Sequence, residues 1–359
     1  GDGVEFTVQP TGNVMEIQGN LFQNNTGLGV NNSAGTAAIN AEYNSWGDID
    51  GPAGTNGDGI SANVDADPWT HVDLYMESTT HPLWPDKVAK HQQISYTVYG
   101  NFQNVMGADF VLNYPETLLA CLNCSPTSGN PDPEGAFDNE TITVDATAGT
   151  IHYVGYNTTT GAKSGTAVPL FTVTFEANVA GSGDLDLVET TDLFSMAPEV
   201  GSSNNIYAAA LVDGSVTVID IFDVTGIFSM QGRVFRGDIP VTLTSTDVNF
   251  PYGPWTENSQ DVLGVNWSVS SLPAGGYLIT TNQPRYLNLT EDSAKTITVD
   301  GAKILNALML RGGNVNNDDE IGLADAGFIG GAYGTSGNPA DIAADANFDG
   351  RVNILDLAL

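Results

Sequence analysis

The chain has 359 residues, with 10 Lys and Arg against 43 Asp and Glu, and a formal net charge of −33. A surface so acidic repels phosphate backbones and anionic bilayers, which excludes nucleic acid and membrane surfaces as partners. Only 15% of residues are charged while 41% are hydrophobic, a composition that is globular and not disordered. The length exceeds one ordinary domain, and 41 Gly with 17 Pro predict short strands joined by turns, hence a mainly β, multidomain chain. No apolar run of about 18 residues exists to span a bilayer. The first residue is Gly1, without a basic or apolar leader, so any secretion signal is expected to be removed or to lie outside this piece.

Residues 1–86 hold no Lys or Arg. Val14 and Ile17 begin an apolar alternation that leads into Gly19-Asn20-Leu-Phe22, then Asn24-Asn25 and Gly27. A like element returns at Tyr43-Asn44-Ser-Trp46-Gly47. Rungs of about 20 to 30 residues with Asn at the corners fit a parallel β-helix, in which stacked coils bury a continuous core. The run Tyr43 to Pro52, then Gly57-Asp58-Gly59, Asn63-Val64-Asp65 and Pro68-Trp69, resembles the closing coils of secreted right-handed β-helix domains. That fold also hosts pectate lyases and glycosidases. Here no basic residue stands beside Asp48, Asp50, Asp58, Asp65 and Asp67, which read as solvated turn carboxylates, so no catalytic residue is assigned.

Residues 88–220 alternate at Ile94-x-Tyr96-x-Val98, Phe110-x-Leu112, Ile142-x-Val144, Phe171-x-Val173-x-Phe175 and Val216-x-Val218, the pattern of a β-sandwich. Val105 to Leu119, Phe171 to Phe175 and Asp213 to Val218 together resemble a cohesin-type domain. Cys121 and Cys124 are too few for a zinc site and sit before a Pro, Gly and Ser-rich run, so a small disulfide is expected, in keeping with an oxidising exterior. His71, His81, His91 and His152 are scattered and read as surface or packing residues.

Residues 221–300 contain Gly226 to Val234, Ile239 to Leu243, Trp267-x-Val269 and Leu272-Pro-Ala-Gly-Gly-Tyr277-Leu-Ile279. This resembles the carboxypeptidase-regulatory-like domain, a prealbumin-type sandwich used as a rigid spacer. Trp255, Tyr252 and Trp267 offer a candidate sugar-stacking face, with core packing as the alternative.

Residues 301–359 carry the strongest signal. Asp345 to Asp356 is a twelve-residue loop of the kind that wraps Ca²⁺, a hard cation that takes six to eight oxygens. Positions 1, 3, 5, 7 and 12 hold Asp345, Asn347, Asp349, the carbonyl of Arg351 and Asp356, with Asn353 at position 9 acting directly or through water. Gly350 sits at the sharp turn. A second copy places Asn314, Asn316, Asp318, the carbonyl of Glu320 and Asp325 in the same register. Ile321 and Val352 are the β-branched residues at position 8. Both loops end in Asp and neither follows a full helix. The pair is similar to the dockerin type I module, a small α module folded by two Ca²⁺ ions that docks on a cohesin domain. The resemblance implies a partner-binding role for Leu323, Ala324, Ile354 and Leu355 at positions 10 and 11, where many dockerins carry hydroxyl residues. The helix after the second loop barely begins, so either the module is expected to be truncated or the visible chain to be a fragment.

These readings together resemble a secreted bacterial or archaeal modular surface protein: terminal β-helix coils, two β-sandwiches and a dockerin-like module. The expected function is non-catalytic and extracellular. The calcium module is expected to dock on a cohesin-like domain of another copy or another surface protein, head-to-tail contacts generating a filament. The alternatives are the accessory part of a secreted polysaccharide-degrading enzyme and a carbohydrate-binding adhesin.

Overall fold

The computed structural model describes the chain except for residues 1–2, 6–14, 18–19, 34–37, 43, 56, 68, 81–83, 124–135, 159–160, 190–209, 232–238, 259–265, 282, 288–295, 307, 319 and 339–341. It is mainly β, and it divides into two compact units, Gly1–Val218 and Ile219–Leu359. No helix among the described residues is long and apolar enough to cross a membrane.

The first unit opens with very short strands that all pair in parallel. Met15 stands opposite Ile39 and Ile39 opposite Val64, so one rung follows the next after 24 or 25 residues. Val4 pairs with Val30, and Val30 bridges to Ile60. The stack encloses Phe22, Val30, Ala41, Trp46, Val64 and Ala66, with Phe22 and Trp46 stacked at 4.8 Å between ring centroids. Asn44 is wholly buried at a corner. Its carbonyl oxygen accepts from the Asn20 backbone N–H at 2.9 Å, while its amide donates to the carbonyls of Ile17 and Ala41. A buried amide is tolerated where both ends find partners, which is why Asn recurs at these turns. The Trp69 indole donates to the Ile49 carbonyl at 3.0 Å and lies on Gly51, whose φ of +74° and lack of a Cβ make the approach feasible.

A two-layer sandwich fills the rest of this unit. One sheet runs in the order Leu119–Cys121, Lys163–Ala177, Gln93–Val105, His71–Ser78, Ala210–Val212. The other runs Asn139–Asp145, Thr150–Tyr156, Gly107–Asn113, Gly181–Glu189, Gly214–Ile219, Lys87–Ala89. Alternate residues point inward, so Phe110, Leu112, Ile151, Tyr153, Phe171, Val173 and Phe175 meet in a shared core. His71–Ser78 pairs along its length with Gln93–Val105, from His71 opposite Gln103 to Ser78 opposite Tyr96. Val72 and Leu74 enter the sandwich core. The sandwich therefore reaches back well before the residue 88 at which it was expected to begin.

In the second unit Ile221–Met230 is the central strand of one sheet, antiparallel to Asn266–Pro273 and parallel to Lys303–Ile304 and Leu308–Leu310. The facing sheet runs Trp255–Asn258, Pro240–Ser245, Gly275–Thr280, Thr296–Val299. Val224, Phe228, Val241, Leu243, Trp267, Tyr277 and Ile279 form the core. Trp267 lies across Gly226, where a Cβ would fall 2.3 Å from the indole. The Tyr277 hydroxyl donates to the Pro273 carbonyl at 2.7 Å. Trp267 is thus a core residue, and Trp255 and Tyr252 pack on Phe250. Lys303–Ile304 and Leu308–Leu310 are strands on this sandwich. Arg285–Tyr286 then pairs with Gly312–Asn314, and the tandem loops follow directly.

Candidate metal centre

Each loop is closed by the Asp at its twelfth position, which is also the third residue of a helix. Asp325 accepts the backbone N–H of Val315 at 2.9 Å and of Asn316 at 3.3 Å through one oxygen, and that of Gly322 at 2.9 Å through the other. Asp356 does the same in the second loop, accepting from Asn347 at 3.1 Å and from Asn353 at 2.8 Å. In this way each carboxylate caps the helix it begins, Leu323–Gly331 or Ile354–Leu357, where exposed N–H groups and the helix dipole favour negative charge.

The remaining ligand positions repeat between the loops with equal offsets. Asn314 accepts the Asp318 N–H at 3.0 Å, and Asp345 accepts the Asp349 N–H at 3.1 Å. Asn316 and Asn347 accept those same two N–H groups at 3.0 and 2.9 Å. Asp318 accepts from Glu320 at 3.0 Å, and Asp349 from Arg351 at 2.9 Å. Asn317 and Phe348, the fourth residues, turn each loop through the left-handed region with φ of 58° and 59°. The Cα trace is held by the side chains that would bind metal.

Asn314, Asp325, Asp345 and Asp356 are buried, whereas Asp318, Glu320, Asp349 and Arg351 are exposed and Asn316 and Asn347 half-buried. Burial pushes the Asp345 carboxyl above the ordinary carboxylate range. Asp356 and Asp349 add repulsion, against hydrogen bonds from the Gly350 and Asp349 backbone that favour the anion. Among the described residues no Lys, Arg or His forms a salt bridge with Asp325, Asp345 or Asp356. Considering only His, Cys, Asp and Glu, no group of three stands close enough among the described residues to hold a metal ion. These loops draw on Asn and main-chain oxygens as well. A carboxylate oxygen that accepts one N–H keeps a second lone pair, so the donor set of amide, carboxylate and main-chain oxygens fits a hard dication such as Ca²⁺. Such an ion would supply the positive charge that buried, mutually repelling carboxylates require.

The two position-8 residues differ in their surroundings. Val352 is buried with Val315, Ile329, Ala344 and Ala346, whereas Ile321 is 45% exposed. Leu323 is 92% exposed, Ile354 60% and Leu355 58%, and Ala324 is exposed too. Phe328, Tyr333 and Leu357 add further exposed apolar surface that the loop pattern did not single out. Arg285 escaped the sequence reading altogether. It lies in the two-stranded sheet with Gly312–Asn314 and contacts both loops. Cys121 is disulfide-bonded, while Cys124, the other half of the expected pair, lies outside the described residues.

No protein-family model matches the chain, and no curated protein does. Among solved structures it is similar to a chain of a type I cohesin–dockerin complex from Clostridium thermocellum, at 15% identity and TM-score 0.30, covering 42% of this chain and 99% of that one. A type II cohesin domain from the cellulosome of Acetivibrio cellulolyticus gives 10% identity and TM-score 0.32 over 42% and 95%. The type II cohesin dyad of the adaptor ScaA scaffoldin from the same organism gives 8% and 0.31 over 67% and 97%. With such scores these stand as resemblances only.

Proposed function

We propose that this chain is a non-catalytic component of an extracellular assembly, built around two Ca²⁺ sites. Asn314, Asn316, Asp318, Asp325 and the Glu320 carbonyl would hold the first ion. Asp345, Asn347, Asp349, Asp356 and the Arg351 carbonyl would hold the second. The observation that carries the reading is the repetition of five hydrogen bonds at the same offsets in two loops 31 residues apart in register, from Asn314 to Asp345. A chance acidic turn has no reason to recur with the same five offsets.

In this reading Leu323, Ala324, Ile354 and Leu355 form the docking surface for a cohesin-like sandwich domain, on another copy or on another surface protein. Contiguous exposed apolar side chains next to a rigid element mark interaction sites. A head-to-tail contact of this kind is heterologous and extends into filaments when its rotation does not close. The parallel rungs of the first unit are taken as coils of a β-helix, and the Cys121–Cys124 disulfide as a mark of an oxidising, secreted setting. Sedimentation of the full chain in Ca²⁺ and in EGTA tests the assembly. Concentration-dependent growth in Ca²⁺ that EGTA reverses is expected, and monomers under both conditions at high concentration would overturn self-assembly.

A further inference from the structure

Arg285 bridges the candidate metal centre and the sandwich of the second unit. It is 7% exposed, in a strand whose neighbour Tyr286 belongs to the sandwich core. Its backbone N–H donates to Asn317 Oδ1 at 2.8 Å, at the fourth position of the first loop. Its guanidinium donates from Nη1 to the Asp345 carbonyl at 2.8 Å, at the first position of the second loop. The same guanidinium lies 4.1 Å from the centroid of Phe348, the fourth residue of that loop. Main chain therefore holds loop one, and side chain holds loop two. Arg285 itself adopts φ of 72°, a conformation uncommon for a residue with a Cβ and one that persists only when the surroundings impose it.

A second link runs through the strand pair. Asn314, the first ligand position of loop one, pairs with Arg285 across the two-stranded sheet, and the Leu287 N–H donates to the Arg311 carbonyl at 2.9 Å. The first residue of one metal loop is thus a strand residue of the sandwich's extension.

We infer that Arg285 is a positioning residue for the second calcium site. It presets the Asp345 and Phe348 backbone before the ion arrives, and it couples loading of the loops to the order of the sandwich. A planar, forked guanidinium suits this because it donates in its plane and stacks through its face at the same time, which an ammonium does not. Preorganisation strengthens binding by removing the ordering cost from the binding step. Its charge acts in the opposite sense on a cation, so the sign of the effect in a variant separates geometry from electrostatics.

This inference rests on the loops binding Ca²⁺, and hydrogen exchange of the full chain across a Ca²⁺ titration distinguishes the two claims. The Asp349 and Gly350 amides, which donate to Asp345, report the second loop, and the Asp318 and Glu320 amides report the first. Arg285→Ala and Arg285→Lys are both expected to shift the second-loop midpoint about tenfold to higher Ca²⁺, leaving the first loop within about twofold. Phe348→Ala, which spares the Arg285 backbone, is expected to shift it in the same direction. EGTA is expected to speed exchange at Leu287 in the wild type. Absence of any Ca²⁺ response in the wild type overturns the calcium reading. An unchanged or lower second-loop midpoint in both Arg285 variants, with the wild type responding, overturns the role of Arg285 alone.

Discussion

The Asp325 carboxylate accepts the backbone N–H of Val315, ten residues earlier, at 2.9 Å, and in the other loop the Asp356 carboxylate reaches back nine residues to Asn347 at 3.1 Å. One side chain in each loop therefore serves as loop closure and helix cap, and in the proposed sites it is a metal ligand as well. Asp356→Ala is expected to cost about 1–3 kcal/mol from lost hydrogen bonds to buried N–H groups and to abolish Ca²⁺ binding at the second site. Calorimetric titration of Ca²⁺ into the variant, showing one remaining site, checks this. Two undiminished sites would contradict it.

Carboxylate count orders the two sites. Loop two offers Asp345, Asp349 and Asp356, and loop one offers Asp318 and Asp325 among its assigned ligands. The second site is expected to bind more tightly, and EGTA to lower the melting temperature of the loops, since metal binding and folding share one free energy. Per-loop hydrogen exchange against free Ca²⁺ gives the order directly.

Leu323→Asp and Leu355→Asp alter side chains that are 92% and 58% exposed. Each is expected to change stability by less than about 0.5 kcal/mol and to abolish Ca²⁺-dependent association. Sedimentation and thermal melting on the same samples separate these effects. Association that survives both substitutions would move the docking surface elsewhere.

In the first unit, Trp46 is wholly buried and stacked on Phe22. Trp46→Ala is expected to cost about 3–5 kcal/mol locally. The Phe22 and Ser45 amides, bonded between successive rungs to Ser45 and Asn20, should then exchange faster while the sandwich strands keep their protection.

The sandwich should be sensitive to alkali. Burial, then the hydrogen bond to Glu140, raises the Tyr153 phenol far above its usual range, and burial likewise raises Tyr96 and Tyr114. A phenol whose folded pKa exceeds its unfolded value gives stability that is fully present below about pH 10 and is lost as pH climbs beyond it. Near-ultraviolet circular dichroism should show unfolding above that pH, and Tyr153→Phe should move the transition upward.

The rungs and the loop turns were legible because each is a short-range code. The repeat of Asn44 and Trp46 after Asn20 and Phe22 sets a rung, and Asn and Asp oxygens two residues apart set a loop. What sequence did not expose was pairing at a distance. His71–Ser78 carries sandwich alternation at Val72 and Leu74, yet its partner strand begins beyond Lys90, so the segment read as part of the coils. Lys303–Ile304 and Leu308–Leu310 join Ile221–Met230 across some 80 intervening positions. Arg285 stands 60 residues from Asp345, and no local pattern announces a contact of that range. Phe348 was the available hint, an aromatic side chain set between two ligands where loop one has Asn317.

The last of the five tryptophans is Trp267, and residues 314–359 contain none. In the second unit the indoles thus belong to the sandwich, with Trp267 pressed on Gly226 and Phe228. The candidate loops are optically silent at the tryptophan band. Under the proposed reading, a Trp267 emission change on adding Ca²⁺ that Asp356→Ala removes starts in the loops and is heard in the sandwich, which makes the native chromophore a built-in listener for traffic across the joint.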